Sequence, residues 1–383
     1  MLPEKKCTGC EACKSVCNRN CITMKPDTDG FMYPTINADR CINCHLCEAV
    51  CPVINKIEKK EESYPLAFAG QNIDDSIRQV SSSGGIFSAL AQQIIQGGGV
   101  VFGAVFTDDL SVKHIGIYNE AELKLLRGSK YVQSQIGDCY QLAETELKRG
   151  TTVLFTGTPC QIEGLLAYLR KPYENLIAVD LICHGVPSNK VWKEYLNWQR
   201  KENKKDIIAA DFRNKSKGWI EFSQKIEFID GTSYIKTAWD DFYMKAFLSN
   251  LSLRPSCYCC EFKTANRQSD LTLADLWGID DIIPGINDNK GMSLIIIHSQ
   301  KGKDLLEKGK EDMFLYQIGF EKAVEHNTTM IQSVQEHKFR QYFFAKLGKR
   351  NFQKLVQESL EPTYYSRVIR KLLNWKKTEK NEE

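Results

Sequence analysis

The pattern of apolar and polar positions between residues 64 and 335 alternates between two periods. Runs such as VVFGAVF and LIAVDLIC are apolar at nearly every position and predict buried strands. The segments IFSALAQQIIQ and VWKEYLNWQ instead carry their apolar residues at helical spacing. Strands that alternate with helices predict an α/β domain with a largely parallel sheet. The segment SQKIEFIDGTSYIKT has an Asp230-Gly231 turn between two extended runs, which predicts a hairpin inserted in this domain.

The rest of the chain divides into three further parts. Residues 1–55 are rich in cysteine, and their segment ITMKPDTDGFMYPTIN predicts two short strands joined by a DTDG turn. Residues 56–63 are charged and poor in apolar side chains, which predicts a linker. Residues 336–383 are basic and have a helical pattern. We therefore predict a small N-terminal domain (1–55), this linker, the α/β domain (64–335) and a helical C-terminal extension.

Composition narrows the class of protein. With 42% hydrophobic and 26% charged residues, the 383-residue chain is typical of globular proteins, and its net charge of +3 is too small to indicate a nucleic-acid partner. The sequence has no apolar run of membrane-spanning length and no secretory pattern at its start, so we expect a cytoplasmic protein. Most of its fifteen cysteines are clustered at short, fixed spacings, which indicates metal ligation rather than disulfide bonds.

Eight of the cysteines form two copies of one motif. Residues 7–17 and 41–51 both read C-x2-C-x2-C-x3-C, the pattern of bacterial ferredoxins that hold two [4Fe–4S] clusters. In that pattern the fourth cysteine of each copy binds the cluster of the other copy. The predicted ligands are Cys7, Cys10, Cys13 and Cys51 for cluster one, and Cys41, Cys44, Cys47 and Cys17 for cluster two.

The ferredoxin motif has one alternative interpretation, and one nearby cysteine lies outside it. Structural zinc sites also use four thiolates, but their C-x2-C pairs usually stand apart in the sequence, so iron–sulfur ligation is the better match. Cys21 is a ninth cysteine in this region, at a position that normally carries a small apolar residue. We expect Cys21 to pack inside the domain.

A serine- and glycine-rich loop precedes a predicted helix at SSSGGIFSAL. Ser83, Gly84 and Gly85 stand where backbone N–H groups and the helix dipole attract an anion, such as a flavin pyrophosphate. Glycines there also allow a ligand to approach the backbone closely. The alternative is a serine-capped helix after an ordinary loop.

Four later cysteines lie at the ends of predicted strands or in the loops that follow. Cys160 lies in TGTPCQIEG, Cys183 in DLICHGVPS, and Cys257 with Cys260 in RPSCYCCEFK. Ligands collect at the carboxyl ends of parallel strands in open α/β sheets, so these four thiols predict a third [4Fe–4S] site. The choice of Cys260 over Cys259 depends on spacing alone.

Two other interpretations of these cysteines stay open. Cys160 and His184 have the residue types of a nucleophile and its general base. Alternatively, some of the thiols are inert, because free cysteine packs as a small hydrophobic side chain. Cys139, alone in a helical segment, is expected to pack in this way.

The order of the motifs resembles a known family. After the ferredoxin segment come SSSGGIFSAL, GSKYVQS, GTPCQIEGL, DLICHGVPS, RPSCYCCEFK and LTLADLWGI. Together they resemble the family of beta subunits of coenzyme F-420-reducing hydrogenases and dehydrogenases, in the version with an N-terminal two-cluster ferredoxin domain. The resemblance runs from Cys7 to about Trp277 and more loosely to residue 340.

This resemblance implies a flavin-binding α/β domain that holds FAD and a further [4Fe–4S] cluster. The flavin contacts that it implies are Ser83, Gly84, Gly85, Ser129, Lys130, Tyr131 and Gln133. The residues that it places in the turn beside the third cluster are Gly157, Thr158 and Pro159. Lys130, as the partner of an anion, and His184 are the candidate catalytic residues.

The resemblance also implies an oxidoreductase. We expect it to pass electrons between one-electron [4Fe–4S] carriers and a two-electron organic substrate through FAD, and to contact a redox partner such as ferredoxin or another oxidoreductase subunit. The identity of the small-molecule acceptor or donor does not follow from the resemblance. The alternative is a non-catalytic subunit that only relays electrons for a partner enzyme.

The end of the chain reads YYSRVIRKLLNWKK, with basic residues between apolar ones. We expect a terminal helix that packs on its own domain. A partner helix, or a weak contact with a membrane surface, is the alternative.

Overall fold

The structure is a computed structural model that describes residues 5–56 and 66–361. Nearly all of the predicted linker and the amphipathic end of the chain, 363–383, lie outside these residues. The strands are β1 Ile22–Pro26, β2 Met32–Ile36, β3 Leu66–Asn72, β4 Val100–Phe106, β5 Val112–Ile117, β6 Val153–Gly157, β7 Leu176–Leu181, β8 Ile207–Asn214, β9 Ser223–Phe228, β10 Ser233–Thr237, β11 Leu271–Asp275, β12 Ser293–Ile297 and β13 Met313–Ile318. The α-helices are α1 Ala12–Ser15, α2 Leu46–Ala49, α3 Asp75–Gln79, α4 Ile86–Gln96, α5 Leu123–Leu126, α6 Cys139–Lys148, α7 Pro159–Leu169, α8 Asn189–Asn203, α9 Phe242–Leu248, α10 Ile279–Ile282, α11 Gln300–Lys308, α12 Phe320–Glu325, α13 Arg340–Lys346 and α14 Phe352–Leu360. Across the described ranges, no helix combines the length and the apolar character needed to cross a membrane.

A mixed sheet of eight strands forms the centre of the molecule, in the order β13-β3-β12-β11-β7-β6-β4-β5. β4, β6, β7 and β11 pair in parallel, whereas β5, β12 and β13 run antiparallel to their neighbours. The α/β class is confirmed, but the expectation of a largely parallel sheet is wrong. The segment 107–111 between β4 and β5 is too short for a crossover connection, so these strands form a hairpin.

Five strands of this sheet end on the same side. β3 is antiparallel to β12, which is antiparallel to β11, so β3 points in the direction of β4, β6, β7 and β11. We call the side where these five strands end the carboxyl edge. Residues 81–85, which we call the serine loop, follow β3 and α3, while Cys160 follows β6 and Cys183 follows β7. The candidate site residues therefore collect where open α/β sheets hold their ligands.

Two smaller sheets contain the hairpins that the sequence predicts. β1 and β2 pair antiparallel around the DTDG turn, with Ile22 opposite Ile36. β9 and β10 form the predicted second hairpin, in which Gly231 adopts a φ of 81°. Such a positive φ suits glycine, which has no side chain to clash. β8 pairs with β9 and completes a three-stranded sheet.

The hydrophobic core joins parts of the chain that are separate in sequence. Phe343 of α13 and Leu355 of α14 lie in one cluster with Trp192 of α8, and the same cluster includes Phe31 beside β2. A second cluster contains Ala12 of α1 together with apolar side chains of α6 and α7. The N-terminal domain and the helices after residue 335 therefore pack on the α/β domain through buried apolar contacts.

Candidate iron–sulfur and cofactor site

The two cysteine motifs share one local backbone geometry. In the first copy Gly9 and Glu11 have φ angles of 70° and 64°, and in the second copy Asn43 and His45, at the same offsets, have φ angles of 53° and 58°. Left-handed residues of this kind turn the chain sharply between successive cysteines. The repeat in the sequence is therefore also a repeat of backbone turns.

The four thiols predicted for cluster one lie together. Burial, together with the neighbouring thiols of Cys7 and Cys51, raises the pKa of the Cys13 thiol to about 12. Burial also raises the pKa of Cys10, and the neighbouring Cys13 thiol acts in the same direction. Cys51 comes from the second copy of the motif, so the structure brings together thiols from both copies, as the predicted exchange of the fourth ligand requires.

The cluster-two region holds an additional thiol. The Sγ atoms of Cys17 and Cys21 are 3.3 Å apart, and Cys41 is also close enough to raise the pKa of Cys21. Cys21 is only 5% exposed, in keeping with the expectation that it packs inside the domain, but it does so against a predicted ligand. Cys44 is exposed, so this half of the domain faces outward.

The four cysteines predicted for the third site line one cavity, which we call the inner site. Its cysteines are Cys160, Cys183, Cys257 and Cys260, and Thr8, Pro159 and His184 also line it. Burial raises the pKa of Cys160 to about 12, and the nearby thiols of Cys260 and Cys183 act in the same direction. Cys259 is exposed and does not line the cavity, which agrees with the choice of Cys260.

Local structure explains how Cys160 reaches this cavity. Thr158 and Gln161 form a capping box at the start of α7, in which each side chain bonds to the other's backbone N–H. Pro159 occupies the first turn, where a missing N–H costs nothing. The turn at Gly157, Thr158 and Pro159 therefore places Cys160 at the helix N-terminus, with its Sγ 3.2 Å from the Thr158 hydroxyl.

The donor set of the inner site suits a cluster better than a single ion. A zinc ion held by four thiolates needs sulfur–sulfur separations of about 3.8 Å. Within residues 5–56 and 66–361, no group of three or more His, Cys, Asp or Glu side chains is arranged so that it could hold a single metal ion. In a cubane each thiolate binds a different iron, so the ligands stand farther apart around a cavity. Four thiols around one cavity fit that arrangement.

The structure does not bring Cys160 and His184 together as a nucleophile and base. His184 Nε2 lies 2.7 Å from Asn250 Oδ1, and its ring packs edge-on against Phe247 at 5.1 Å. Burial lowers the pKa of His184, which favours the neutral ring. Each member of the candidate pair thus has a different partner, since Cys160 contacts Thr158.

The inner site adjoins the cluster-one site. Thr8, between two cluster-one cysteines in sequence, lines the inner cavity. Cys160 is near enough to Cys10 to contribute to the raised pKa of the Cys10 thiol. On α7, a Cβ added to Gly164 would lie 3.0 Å from Cys10 Sγ, so glycine allows this close approach.

The serine loop is held by neighbouring strands and by the segment at 129. Ser82 Oγ accepts from the Ser129 N–H at 2.7 Å, and Ser83 Oγ donates to the Met292 carbonyl oxygen at 2.7 Å. The Gly84 N–H donates to a serine hydroxyl of β12, and a Cβ at this position would lie 2.4 Å from the carbonyl oxygen of Gly70. Packing against β3 and β12 is therefore sufficient reason for a glycine at 84. Gly85, with a φ of 84°, caps the start of α4.

Two cations that the sequence analysis missed also bind this loop. Arg213 donates to the Ser82 carbonyl oxygen at 2.9 Å, and Lys215 donates to that of Ser83 at 2.7 Å. Arg213 forms a bidentate pair with Asp275 at 2.6 and 2.8 Å, while its buried Nε–H has no hydrogen-bond partner among the described residues. Arg213 and Ser82 are 131 positions apart, so no local motif links them. An unpaired buried donor beside a serine loop suits an anionic ligand.

The segment 129–131 lies against the same loop. Tyr131 Oη is 3.1 Å from Nη1 of Arg213. Lys130 Nζ donates to the carbonyl oxygens of Leu125 and Arg127 at 2.9 and 2.8 Å. Burial lowers the pKa of Lys130 to about 7, although Asp211 acts in the opposite direction. Ser129 and Tyr131 thus reach the serine loop and its arginine, while Lys130 lies nearby and is partly buried.

Gln133 lies elsewhere, between the N-terminal domain and the α/β domain. Its Nε2 donates to the carbonyl oxygen of Thr8 at 3.2 Å, and its Oε1 accepts from Arg254 at 3.0 Å. Arg254 is a further residue that the sequence analysis missed as a site residue, although it opens the motif RPSCYCCEFK. Both side chains border the cluster-one cysteines rather than the serine loop.

Comparison with known proteins identifies two regions of the chain. Residues 150–349, slightly more than half of it, match the family described as the C terminus of the beta subunit of coenzyme F420 hydrogenase/dehydrogenase. Residues 6–55 match the 4Fe-4S dicluster domain, so the N-terminal domain is of an iron–sulfur type. The second match covers both copies of the cysteine motif.

Two curated relatives come from methanogenic archaea. The chain is 23% identical over 406 residues to the coenzyme F420-dependent sulfite reductase of Methanocaldococcus jannaschii, which covers 98% of this chain and 58% of the relative. It is 23% identical over 229 residues to the F subunit of the F(420)H(2) dehydrogenase of Methanosarcina mazei, covering 56% of this chain and 63% of the relative. The matches thus span about three fifths of the length of these two relatives.

A solved structure is also similar. It is a chain of the F420-reducing [NiFe] hydrogenase complex from Methanosarcina barkeri, with a TM-score of 0.49 and 16% identity over 72% of this chain and 92% of that chain. The family assignment depends on the sequence match at residues 150–349. On that match, the chain belongs to the family of coenzyme F-420 hydrogenase/dehydrogenase beta subunits.

Proposed function

We propose that this chain is an iron–sulfur flavoprotein oxidoreductase, which moves electrons between one-electron carriers and a two-electron organic substrate. The observation that carries the proposal is the proximity of Cys10 to Cys160 and to Gly164, which brings the inner site next to the cluster-one site. Electron transfer benefits from carriers that lie close together. Family membership and the dicluster domain support the iron–sulfur and oxidoreductase parts of the proposal.

Three groups of thiolates would hold the clusters. They are Cys7, Cys10, Cys13 and Cys51 for cluster one, Cys41, Cys44, Cys47 and Cys17 for cluster two, and Cys160, Cys183, Cys257 and Cys260 for the inner site. When bound, such clusters supply one-electron exchange. The chain tunes the inner site by burial and by donors to sulfur, such as the Val186 N–H, which lies 3.4 Å from Cys257 Sγ.

FAD would lie beside the serine loop at the carboxyl edge. Ser129, Lys130 and Tyr131 would contact it, together with Arg213, whose unpaired Nε–H suits an anionic group. When bound, FAD supplies the step between one-electron and two-electron transfer. The hydrogen bonds of Ser83 and Gly84 to strand residues support a role in holding the loop rather than in touching the flavin.

The outward half of the N-terminal domain is the proposed contact for a redox partner. Cys44 is exposed there, and Ile42 and Ile54 are 57% and 44% exposed. Exposed apolar side chains beside a redox site suit a transient protein contact. The chemical class of the small-molecule substrate is a two-electron carrier such as a deazaflavin or a nicotinamide.

Anaerobic reconstitution of the full chain tests the proposal. We expect about twelve irons per chain, together with one bound flavin. Cys160→Ser and Cys257→Ser should each lower the iron content towards about eight. Cys259→Ser is the matched control, because Cys259 is an exposed neighbour outside the inner cavity, and it should leave the iron content unchanged. A wild-type chain with about eight irons and no flavin would contradict the inner site and the flavin.

A second measurement separates the enzyme from a relay subunit. The reconstituted chain is mixed with reduced F-420, NADH, NADPH or reduced ferredoxin, and reduction of its chromophores is followed by absorbance. Reduction of the chromophores by a two-electron donor, in the chain alone, supports the oxidoreductase. Reduction by ferredoxin only, with stable co-purification of another protein, supports the relay.

A further inference from the structure

Arg254 is a fully buried cation at the boundary between the N-terminal domain and the α/β domain, with 0% of its side chain exposed. Its guanidinium donates to the carbonyl oxygens of Cys7 and Met32 at 2.7 and 3.0 Å, and to Oε1 of Gln133 at 3.0 Å. It also lies over the ring of Tyr33, 4.2 Å from the centroid. All of these partners are neutral.

No carboxylate of the described chain lies within ion-pair distance of this guanidinium. Other buried arginines are different, since each is paired with an aspartate. These pairs are Arg78–Asp288, Arg213–Asp275, Arg267–Asp180 and Arg340–Asp29. A buried charge without a counter-charge is costly. Arg254 therefore needs an anion that no carboxylate supplies.

The groups near Arg254 that would become anionic on binding a cluster are predicted ligands. Its Nε–H bonds to the carbonyl of Cys7, a predicted ligand of cluster one. Burial raises the pKa of Cys160, and the Arg254 charge acts in the opposite direction, so this cation also acts on the inner site. Gly9 lies against it as well, because a Cβ there would be 2.9 Å from the guanidinium. Arg254 thus stands between the two groups of thiolates.

We propose that Arg254 is the counter-charge shared by cluster one and the inner site, and that it raises the reduction potential of cluster one. This inference rests on the proposed function, because it requires both clusters. An iron–sulfur cluster becomes more negative when it takes up an electron, and a fixed cation in a low-dielectric interior stabilises that form. Arg254 is a positioning residue, since it acts on the clusters through charge and backbone contacts.

Removing the charge tests this role. In reconstituted full-length Arg254→Gln, at a fixed solution potential, we expect the ratio of reduced to oxidised cluster one to fall about tenfold, which corresponds to about 59 mV for one electron. Arg254→Lys keeps the charge, so in this variant the ratio of reduced to oxidised cluster one should fall less. Lys25→Gln removes the same charge from an exposed position of the N-terminal domain, where solvent screens it, and should leave the ratio unchanged. The readout is a redox titration followed by low-temperature EPR.

A second pair of variants keeps the arginine. Gln133→Glu would place a carboxylate beside the guanidinium, where Oε1 now accepts its hydrogen bond. We expect this variant to lower the reduced fraction of cluster one relative to Gln133→Met, which removes the hydrogen bond and adds no charge. This pair decides the question if Arg254→Gln fails to take up iron.

The outcomes are separable. Arg254→Gln with wild-type iron content and an unchanged titration would overturn the proposal, and so would identical titrations of Gln133→Glu and Gln133→Met. A lower potential in Arg254→Gln or Gln133→Glu supports it. A wild-type chain that binds no iron would instead refute the proposed function itself.

Discussion

Lys130 is partly buried and lies among backbone carbonyl oxygens. Its amine donates to two carbonyls, as many hydrogen bonds as a neutral amine can donate. Burial lowers its pKa to about 7, with Asp211 as the opposing charge. His114 is also near, and burial lowers the pKa of this ring to about 4, so it adds no charge at neutral pH. The charge of Lys130 near pH 7 therefore depends on whether an anion is bound.

This titration predicts pH-dependent flavin binding. Below pH 7 Lys130 is charged and attracts an anion; as the pH rises through its pKa of about 7, the charge is lost and FAD affinity should fall, by up to about tenfold per pH unit. Lys130→Arg stays charged and should remove this dependence, whereas Lys130→Met should bind weakly at every pH. FAD fluorescence titrations at pH 6.5 and 8.5 measure this. Equal affinity of the wild type and Lys130→Met would exclude Lys130 from the flavin site.

Local spacing determines which site residues the sequence predicts. The cysteine ligands are predictable because their spacing is local, as in residues 7–17. Arg254 and Gln133 are not, because their bond joins positions 121 residues apart. Nothing in the sequence around Arg213 distinguishes it from a surface cation, because its partners Asp275 and Ser82 are far away along the chain.

The serine loop has a different role in the structure from the one that its sequence suggests. In sequence, its glycines suggest a cradle for a phosphate. In the structure Gly84 donates to Ser293 of β12 and faces the backbone of β3, so the loop anchors the start of α4 to the sheet. The motif can be recognised in the sequence. The reason for the glycine at 84, which is close packing against β3 and β12, can be seen only in the structure.

Gly84→Ala tests this packing role. The added Cβ would lie 2.4 Å from the Gly70 carbonyl oxygen, so we expect the free energy of unfolding to fall by about 3 kcal/mol. Gly319→Ala is the matched control, since Gly319 has a φ of −69° and no atom within 4 Å of an added Cβ, and it should change stability by less than about 0.5 kcal/mol. Denaturant unfolding measures both. Weaker FAD binding in Gly84→Ala at unchanged stability would favour the cradle instead.

Strand direction is the part of the fold that the apolar pattern does not contain. A buried strand such as LIAVDLIC is equally apolar in a parallel or an antiparallel pairing. The alternation of strands and helices therefore predicts the α/β class but not the antiparallel insertion of β12 between β3 and β11. Turn chemistry is more specific, which is why the two hairpins predicted at DTDG and at Asp230-Gly231 are confirmed, whereas the β4–β5 hairpin is not predicted.

At the scale of the whole molecule, the N-terminal domain is docked on the α/β domain rather than merely attached to it. Ala12 and Val50 are fully buried in a cluster with side chains of α6 and α7, and Phe31 is buried in the cluster that contains α8. Arg254 and Gln133 add hydrogen bonds across the same boundary. The sequence predicts a separate domain and a linker, but not this extensive contact, because its residues are far apart along the chain.

Docking of this kind predicts that the two domains stay together without the covalent connection. A specific protease site inserted between residues 57 and 65 allows the chain to be cut after anaerobic reconstitution. We expect the two fragments to co-elute in gel filtration, because buried apolar side chains such as Ala12 hold them together. Ala12→Asp in the same cleavable chain places a charge at a position with 0% exposure and should let the fragments separate. If the wild-type fragments separate as well, then the domains are held together only by the covalent connection. Cluster one and the inner site would then not form a fixed path for electrons.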